Sequence, residues 1–337
     1  MDTIIYTVHR DVSVKILESL QYPTGLLAAS RKDCATGYSA AWIRDNIYEA
    51  MGLETVSIKK AVQVYHALLD VFRKHEYKID WAIKAKPDHT FQYIHARYNP
   101  ETFDEFHEEW GNKQHDAIGA FLFKVGDLEQ KGIKVIRDIN DKRIIQKLVY
   151  YLESIEFWQN PDHGMWEEAP EIHASSIGAC VAGLEKVKFL VEVDQALILK
   201  GKIALHALLP RESITKSVDL ALLSLIYPYN IVTPEQRDKI LKNVEDQLVR
   251  NRGVIRYHGD LYYNASGEAE WTFGFPWLAA IYKVLNQPNK YAFYMRKTME
   301  AMNDKGELPE LYYANSNLYN DNCPLGWAQA MYLIATT

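Results

Sequence analysis

Apolar positions recur three and four residues apart through most of the chain, the spacing of helices that bury one face. The pattern predicts helices over 7–20, 42–53, 57–74, 115–128, 139–156, 173–187, 191–206, 217–226, 234–249, 270–285, 288–303 and 323–335. Two boundaries carry their own chemistry. Thr233-Pro234-Glu235-Gln236 offers an N-cap hydroxyl, a proline at the first helical position and a glutamine three residues after the cap. Asn286-Gln287-Pro288 separates two helices, because proline disfavours helix in the residue before it. Segments 89–99 and 101–109 instead alternate apolar and polar residues around Asn99-Pro100, which predicts a short β-hairpin or an ordered loop excursion.

The predicted helices are joined by alternately short and long connections. The long ones precede the second, fourth, sixth, tenth and twelfth helices. Hairpin pairs of this kind suit an all-α double barrel, six inner helices ringed by six outer ones. An α-solenoid would show a repeated signature at a fixed period, and none is visible. If the even-numbered helices are the inner ones, the long junctions share one rim. Residues far apart in sequence then meet around one pocket. No Pro/Gly/Ser linker interrupts the chain, so residues 1–337 are expected to form a single domain.

Composition narrows the chemistry. Apolar residues make up 48%, enough for a large core and against wholesale disorder. Acidic residues outnumber basic ones, 44 to 38, giving a net charge of −6. That disfavours nucleic acid and anionic membranes as partners, since both call for a basic face. The cysteines, Cys34, Cys180 and Cys323, are odd in number and widely spaced, with no CxxC pair. They fit a reducing, cytoplasmic compartment better than a disulfide framework or zinc ribbon. The opening MDTIIYTVHRDVS lacks the apolar run of a secretory signal, and no uncharged stretch is long enough to span a membrane. There is no GxSxG elbow, HExxH helix or P-loop. His115 and His173 read as packed or helix-end histidines, so neither a metal nor a cofactor is expected.

Aromatic residues are 12%, including 22 Tyr and 8 Trp, and they gather at the long junctions beside charged groups. Trp42, Arg44 and Asp45 open the second helix, and Trp110 and Asp116 lead into the fourth. Trp166, Glu167 and Glu168 precede the sixth. Arg256, Tyr257, Glu270 and Trp271 precede the tenth. Glu310, Tyr312 and Trp327 lead into the last. Each acidic residue taken alone could be a first-turn charge favoured by the helix dipole. Together, two remote carboxylates in an aromatic funnel are the equipment of glycoside hydrolysis. One protonates the leaving oxygen and the other acts from the opposite face.

The motifs resemble glycoside hydrolase family 15, the glucoamylase family, and equally the glucoamylase-like domain of phosphorylase kinase alpha and beta subunits. The likeness runs from about Tyr22 to Ala335. TGLLAAS followed by AWIRDNIY is similar to the kinase subunits' TGLLPAS and AWVRDNVY. WGNKQHDA is similar to the glucoamylase WGRPQxDG, and WEE followed by ASS to WEEVNGSS. GVIRYHGDLYY and FPWLAAIY resemble GRYPEDVYY and NPWFL. PELYY with GWAQAMYLI is similar to the kinase-subunit PELY and WGQSLYIL.

The resemblance implies an (α/α)6 barrel and an inverting exo-hydrolase of α-glucosidic bonds that releases glucose from non-reducing ends. It places Glu167 at the general acid. Glu310 falls at the general base, within PELY where the enzymes have SEQ or SEE. Arg44, Asp45 and Arg256 match residues that hold the terminal glucose, and Trp42, Trp110 and Glu168 match neighbours of that pocket. Asp116, Trp166, Tyr257, Glu270, Trp271, Tyr312 and Trp327 complete the expected substrate-binding set. The partner implied is an α-linked glucose oligosaccharide or polysaccharide. Two alternatives stand beside this: a catalytically silent sugar-binding regulatory module like the kinase subunits, and a phosphorolytic enzyme that would dispense with Glu310.

Overall fold

A computed structural model describes residues 2–108 and 110–337, with side chains from His9 onward. Among these residues the α-helices are α1 (Asp2–Leu20), α2 (Ile43–Glu54), α3 (Ile58–Lys74), α4 (Glu76–Lys84), α5 (His115–Gln130) and α6 (Ile139–Ser154). They continue with α7 (Ala174–Val187), α8 (Gln195–Leu208), α9 (Pro234–Gln247), α10 (Gly274–Val284), α11 (Pro288–Glu300) and α12 (Gly326–Thr336). A 3-10 helix covers Leu220–Leu225. Four two-residue strands, β1 (Ala41–Trp42), β2 (Arg97–Tyr98), β3 (Glu270–Trp271) and β4 (Leu311–Tyr312), form two small antiparallel sheets, β1–β2 and β3–β4.

The inner elements pack in succession: α2 on α5, α5 on α7, α7 on the 3-10 helix, that helix on α10, α10 on α12, and α12 back on α2. Outside them, α3, α8, α9 and α11 each lie on the inner element beside them in sequence, α1 lies chiefly on α12, and α6 packs on α4, α3 and α5. This is the all-α (α/α)6 architecture, and the division follows from burial. Every residue from Gly274 to Tyr282 in α10 and from Gly326 to Ala335 in α12 is buried, whereas α9 buries only Ile240, Leu241 and Val244. A helix apolar all round belongs in a core, and a one-faced helix belongs at its edge.

Glycines let α5 and α7 approach closely. A Cβ on Gly119 would stand 2.4 Å from the backbone of Ala179 and Cys180, and one on Gly183 would stand 2.5 Å from the Gly119 carbonyl. Gly119→Ala should therefore cost about 1–3 kcal/mol of stability. Urea unfolding measures this, and a variant as stable as the parent would show that the two helices separate freely.

Three elements depart from expectation. In place of the α-helix expected over 217–226, Leu220–Leu225 form a 3-10 helix: Asp219 caps it, its carboxylate accepting from the Ala221 N–H at 2.7 Å, and Pro228 follows within three residues of its end. The additional helix α4 buries only Lys78, Ile79 and Ala82, too sparse an apolar face to stand out in sequence, and packs on α6. The 89–109 segment does turn at Asn99, whose side chain accepts from the N–H groups of Glu101 and Thr102. Among the described residues a single bridge, Tyr98 to Glu105, joins its two arms; strand β2 pairs instead with β1, setting Trp42 opposite Arg97. The Thr233 cap forms as expected, with Pro234 at the helix start and Gln236 closing the capping box.

Candidate active site

The N-terminal ends of the inner elements converge on a cavity of about 230 Å³. Trp42, Arg44 and Asp45 reach it from the start of α2, Trp110 from the approach to α5, and Trp166 and Glu167 from the approach to α7. Arg256 and Trp271 enter before α10, and Glu310 and Trp327 come from either side of the last junction. All of these were expected at the site. Ala29, Thr36, Tyr38, Met165, Tyr262 and Leu325 complete the lining.

Both carboxyl groups are held by donors. Glu167 Oε2 accepts from the Trp110 indole at 3.0 Å, and Oε1 accepts from the Gln114 amide at 2.8 Å. The Glu167 backbone sits at φ 62, a left-handed conformation that costs a non-glycine residue about 1–3 kcal/mol and that surrounding structure must impose. Glu310 is only 1% exposed. The Tyr38 hydroxyl donates to its Oε1 at 2.6 Å, and the Asn322 amide to Oε2 at 2.7 Å, joined there by the Asn320 amide. Burial pushes the Glu310 carboxyl above the usual range, while these three donors and Arg256 oppose the rise.

Two buried arginines are clamped by aspartates. Arg44 Nε donates to Asp116 Oδ2 at 2.5 Å, while its Nη2 donates to Asp116 Oδ1 at 3.1 Å and to Gln114 Oε1 at 2.7 Å. Arg256 is gripped likewise by Asp260, at 2.7 and 2.5 Å, and also donates to Glu168 Oε1 at 3.0 Å. Its guanidinium lies 4.9 Å from the Trp271 ring centre and 5.3 Å from that of Trp166. Planar, bidentate pairing of this kind fixes a charged fork in one orientation. Glu168 is occupied by Arg256, by the Tyr257 hydroxyl at 2.7 Å and by Lys216 at 2.6 Å. A further buried cation, Arg97, lies 3.8 Å from the Trp110 ring centre and 5.5 Å from that of Trp42, holding two walls of the cavity together.

Asp45 is half-buried between these charges, its carboxyl pushed up to about 7. Burial is the main cause, Glu167 and Glu310 add to it, and Arg44 opposes it. The folded protein then keeps this proton to about pH 7, whereas the unfolded chain releases it near 3.9. The group's contribution to stability is complete below the unfolded value and is lost as pH rises through about 7. Asp45→Asn should therefore be more stable than the parent at pH 8 by about 1–2 kcal/mol, after allowing for cavity water, and equal to it near pH 4. Chemical denaturation at the two pH values tests this; an equal difference at both would remove the cause.

Other expected residues sit elsewhere. Asp116 and Glu168 support the arginines from outside the lining, and Tyr257 bonds Glu168. Glu270 and Tyr312 are cross-strand partners in β3–β4. Side chains alternate along a strand, so Trp271 faces the cavity while Glu270 turns away and accepts from the Arg252 N–H at 2.6 Å. The Tyr312 hydroxyl donates to the Ala301 carbonyl. His115 is packed, held neutral by burial with its pKa near 3, and His173 pairs with buried Glu212 at 3.3 Å. Among the described residues no group of three or more His, Cys, Asp and Glu could hold a metal ion, and no helix is long and apolar enough to cross a membrane. Sequence reasoning gave no role to Tyr38, Gln114, Asp260, Asn320 and Asn322, which act on the expected residues; Gln114 lies within WGNKQHDA and Asp260 within GVIRYHGDLYY, so those two stood inside motifs already singled out.

Fold and cavity together define an (α/α)6 protein of glucoamylase-like architecture. The chain belongs to the glycosyl hydrolases family 15, whose family model matches residues 8–333. It is 26% identical, over 99% of its length, to the probable phosphorylase b kinase regulatory subunit alpha of Caenorhabditis elegans. Identity is also 26% over 93% of its length to the liver isoform of that subunit from Mus musculus. The chain spans about a third of these curated relatives, 33% and 31%. A glycosidase solved in complex with glucose has a TM-score of 0.84 at 19% identity, covering 100% of this chain and 98% of that one. The glucoamylase of Saccharomycopsis fibuligera has a TM-score of 0.69 at 14% identity, covering 99% and 94%.

Proposed function

We propose that the protein is an inverting, exo-acting hydrolase of α-glucosidic bonds, releasing glucose from the non-reducing ends of gluco-oligosaccharides. The observation that carries this is the meeting of Glu167 and Glu310, from opposite halves of the chain, in one small aromatic cavity. Glu167 protonates the departing oxygen, held on target by Trp110 and Gln114. Glu310, fixed by Tyr38, Asn320 and Asn322, takes a proton from water as that water attacks the anomeric carbon. An inverting pair stands about 6.5–9.5 Å apart to admit this water. Arg44, Arg256 and Asp45 bind the terminal glucose. Asp45, holding its proton up to about pH 7, can both donate to and accept from a sugar hydroxyl.

A sugar-binding regulatory module is the second reading, favoured by the names of the curated relatives, which are regulatory subunits. Glucose release from maltose, isomaltose, trehalose, maltotetraose and dextran separates the two. Release from any of them supports the hydrolase. Binding without release from all of them transfers the proposal to the module.

A further inference from the structure

The proposed acid stands between two residues that are each tied down. On one side Glu168 has its N–H on the His163 carbonyl at 3.0 Å and its carboxyl held by Arg256, Tyr257 and Lys216. On the other side the Trp166 indole donates to Asp219 Oδ1 at 2.9 Å. Between them Glu167 keeps its left-handed backbone at φ 62, a conformation that a non-glycine residue holds only when its surroundings impose it. Asp219 is fully buried and stands outside the cavity lining.

Asp219 makes one bond more than its helix requires. Its Oδ1 caps the 3-10 helix by accepting from the Ala221 N–H at 2.7 Å, and that bond suffices for a cap. The same oxygen takes the Trp166 indole as a second donor, while Oδ2 has no hydrogen-bond partner among the described residues. The 3-10 helix is itself seated on α7 and α10, and its first residue, Leu220, donates to the Arg256 carbonyl at 2.8 Å. Asp219 is therefore a fixed point of the inner ring. The Trp166 ring also meets Trp271 and Phe273, 5.9 and 6.1 Å away between ring centres, and the Arg256 guanidinium at 5.3 Å. Ring packing tolerates a range of offsets, whereas an N–H bond weakens steeply once it leaves the line of its acceptor. The bond to Asp219 thus sets the rotation of the indole, and with it the chain that leads into Glu167.

We propose that Asp219 is a positioning residue for the general acid: through the Trp166 indole it holds Glu167 in the left-handed conformation that presents its carboxyl to the cavity. The inference rests on the hydrolase reading for what Glu167 does, and on the Trp166–Asp219 bond for what holds it there. The test compares the parent with Asp219→Ala, which removes the acceptor, and Asp219→Asn, which keeps it. Trp166→Phe removes the same bond from the other side and leaves the cap intact, so it carries the test should Asp219→Ala fail to fold.

Kinetics are measured on whichever of maltose, isomaltose, trehalose, maltotetraose and dextran is cleaved, and on α-glucosyl fluoride, whose leaving group departs with little help from a proton. Asp219→Ala should lower kcat on the glucoside about ten- to hundredfold, with KM and the fluoride rate near those of the parent. Asp219→Asn should recover the lost rate. An equal loss on both substrates, or no loss on either, overturns the positioning and leaves the hydrolase standing. A second readout needs no turnover. The Trp110 indole donates to Glu167 Oε2, so its N–H signal in a nitrogen-15 NMR spectrum, identified with Trp110→Phe, reports the place of the carboxyl. That signal should move in Asp219→Ala and return in Asp219→Asn. If none of the substrates is hydrolysed, this pattern sustains the positioning while the hydrolase fails. An unmoved Trp110 signal overturns the positioning in either case.

Discussion

Glu167→Gln should lower kcat by about 10²–10⁴ while the affinity for a malto-oligosaccharide stays near that of the parent. Glutamine keeps the side-chain shape but has no proton to give a departing oxygen. Affinity is set elsewhere, by Arg44 on Asp116 and Arg256 on Asp260, and neither clamp touches the Glu167 carboxyl. The substitution has a cost of its own. Both Glu167 oxygens accept, from Trp110 and Gln114, so an amide must turn its NH2 toward one of those donors. A lost, part-buried hydrogen bond of this kind costs about 0.5–1.5 kcal/mol and should show as a lower unfolding midpoint. Single-turnover kinetics with calorimetry on the same protein separates the two effects. Unchanged turnover would take Glu167 out of the acid role.

The second large effect concerns Glu310 and the stereochemistry. Water activated by Glu310 attacks opposite the leaving group, so an α-glucoside should give β-glucose first, seen by proton NMR before mutarotation. Glu310→Gln should lose activity on the scale of a missing general base, about 10²–10⁴. Its carboxylate must be ionised to act, and burial raises its pKa, so activity should fall on acidification at a pH above that of an ordinary glutamate. A first product of α-glucose would sink Glu310 as base. Retention needs a carboxylate about 5–5.5 Å from the acid, close enough to bond the sugar. Glu168 adjoins Glu167 in sequence, but Arg256, Tyr257 and Lys216 already occupy it.

The sequence by itself determined the rings and the rim. Segments apolar all round, such as 274–282 and 326–335, must be inner, and one-faced segments such as α9 must be outer. Each long junction precedes an inner element, so Trp42, Arg44, Asp45, Glu167, Arg256 and Glu310 meet, and that much follows from local periodicity and connection length. Tertiary structure decided what each of those groups touches. Tyr38 donates to Glu310 across 272 residues and Arg44 reaches Asp116 across 72, separations at which sequence spacing carries no distance. It also turned Glu270 and Tyr312 away, because a strand two residues long inverts the facing of neighbours that sequence shows only as adjacent. The pairing of β2 with β1, which brings Arg97 against Trp42 and Trp110, belongs to the same class. A helix advertises its buried face in its own residues, whereas a two-residue ladder or a buried ion pair is chosen by whichever partner the packed rings bring within reach.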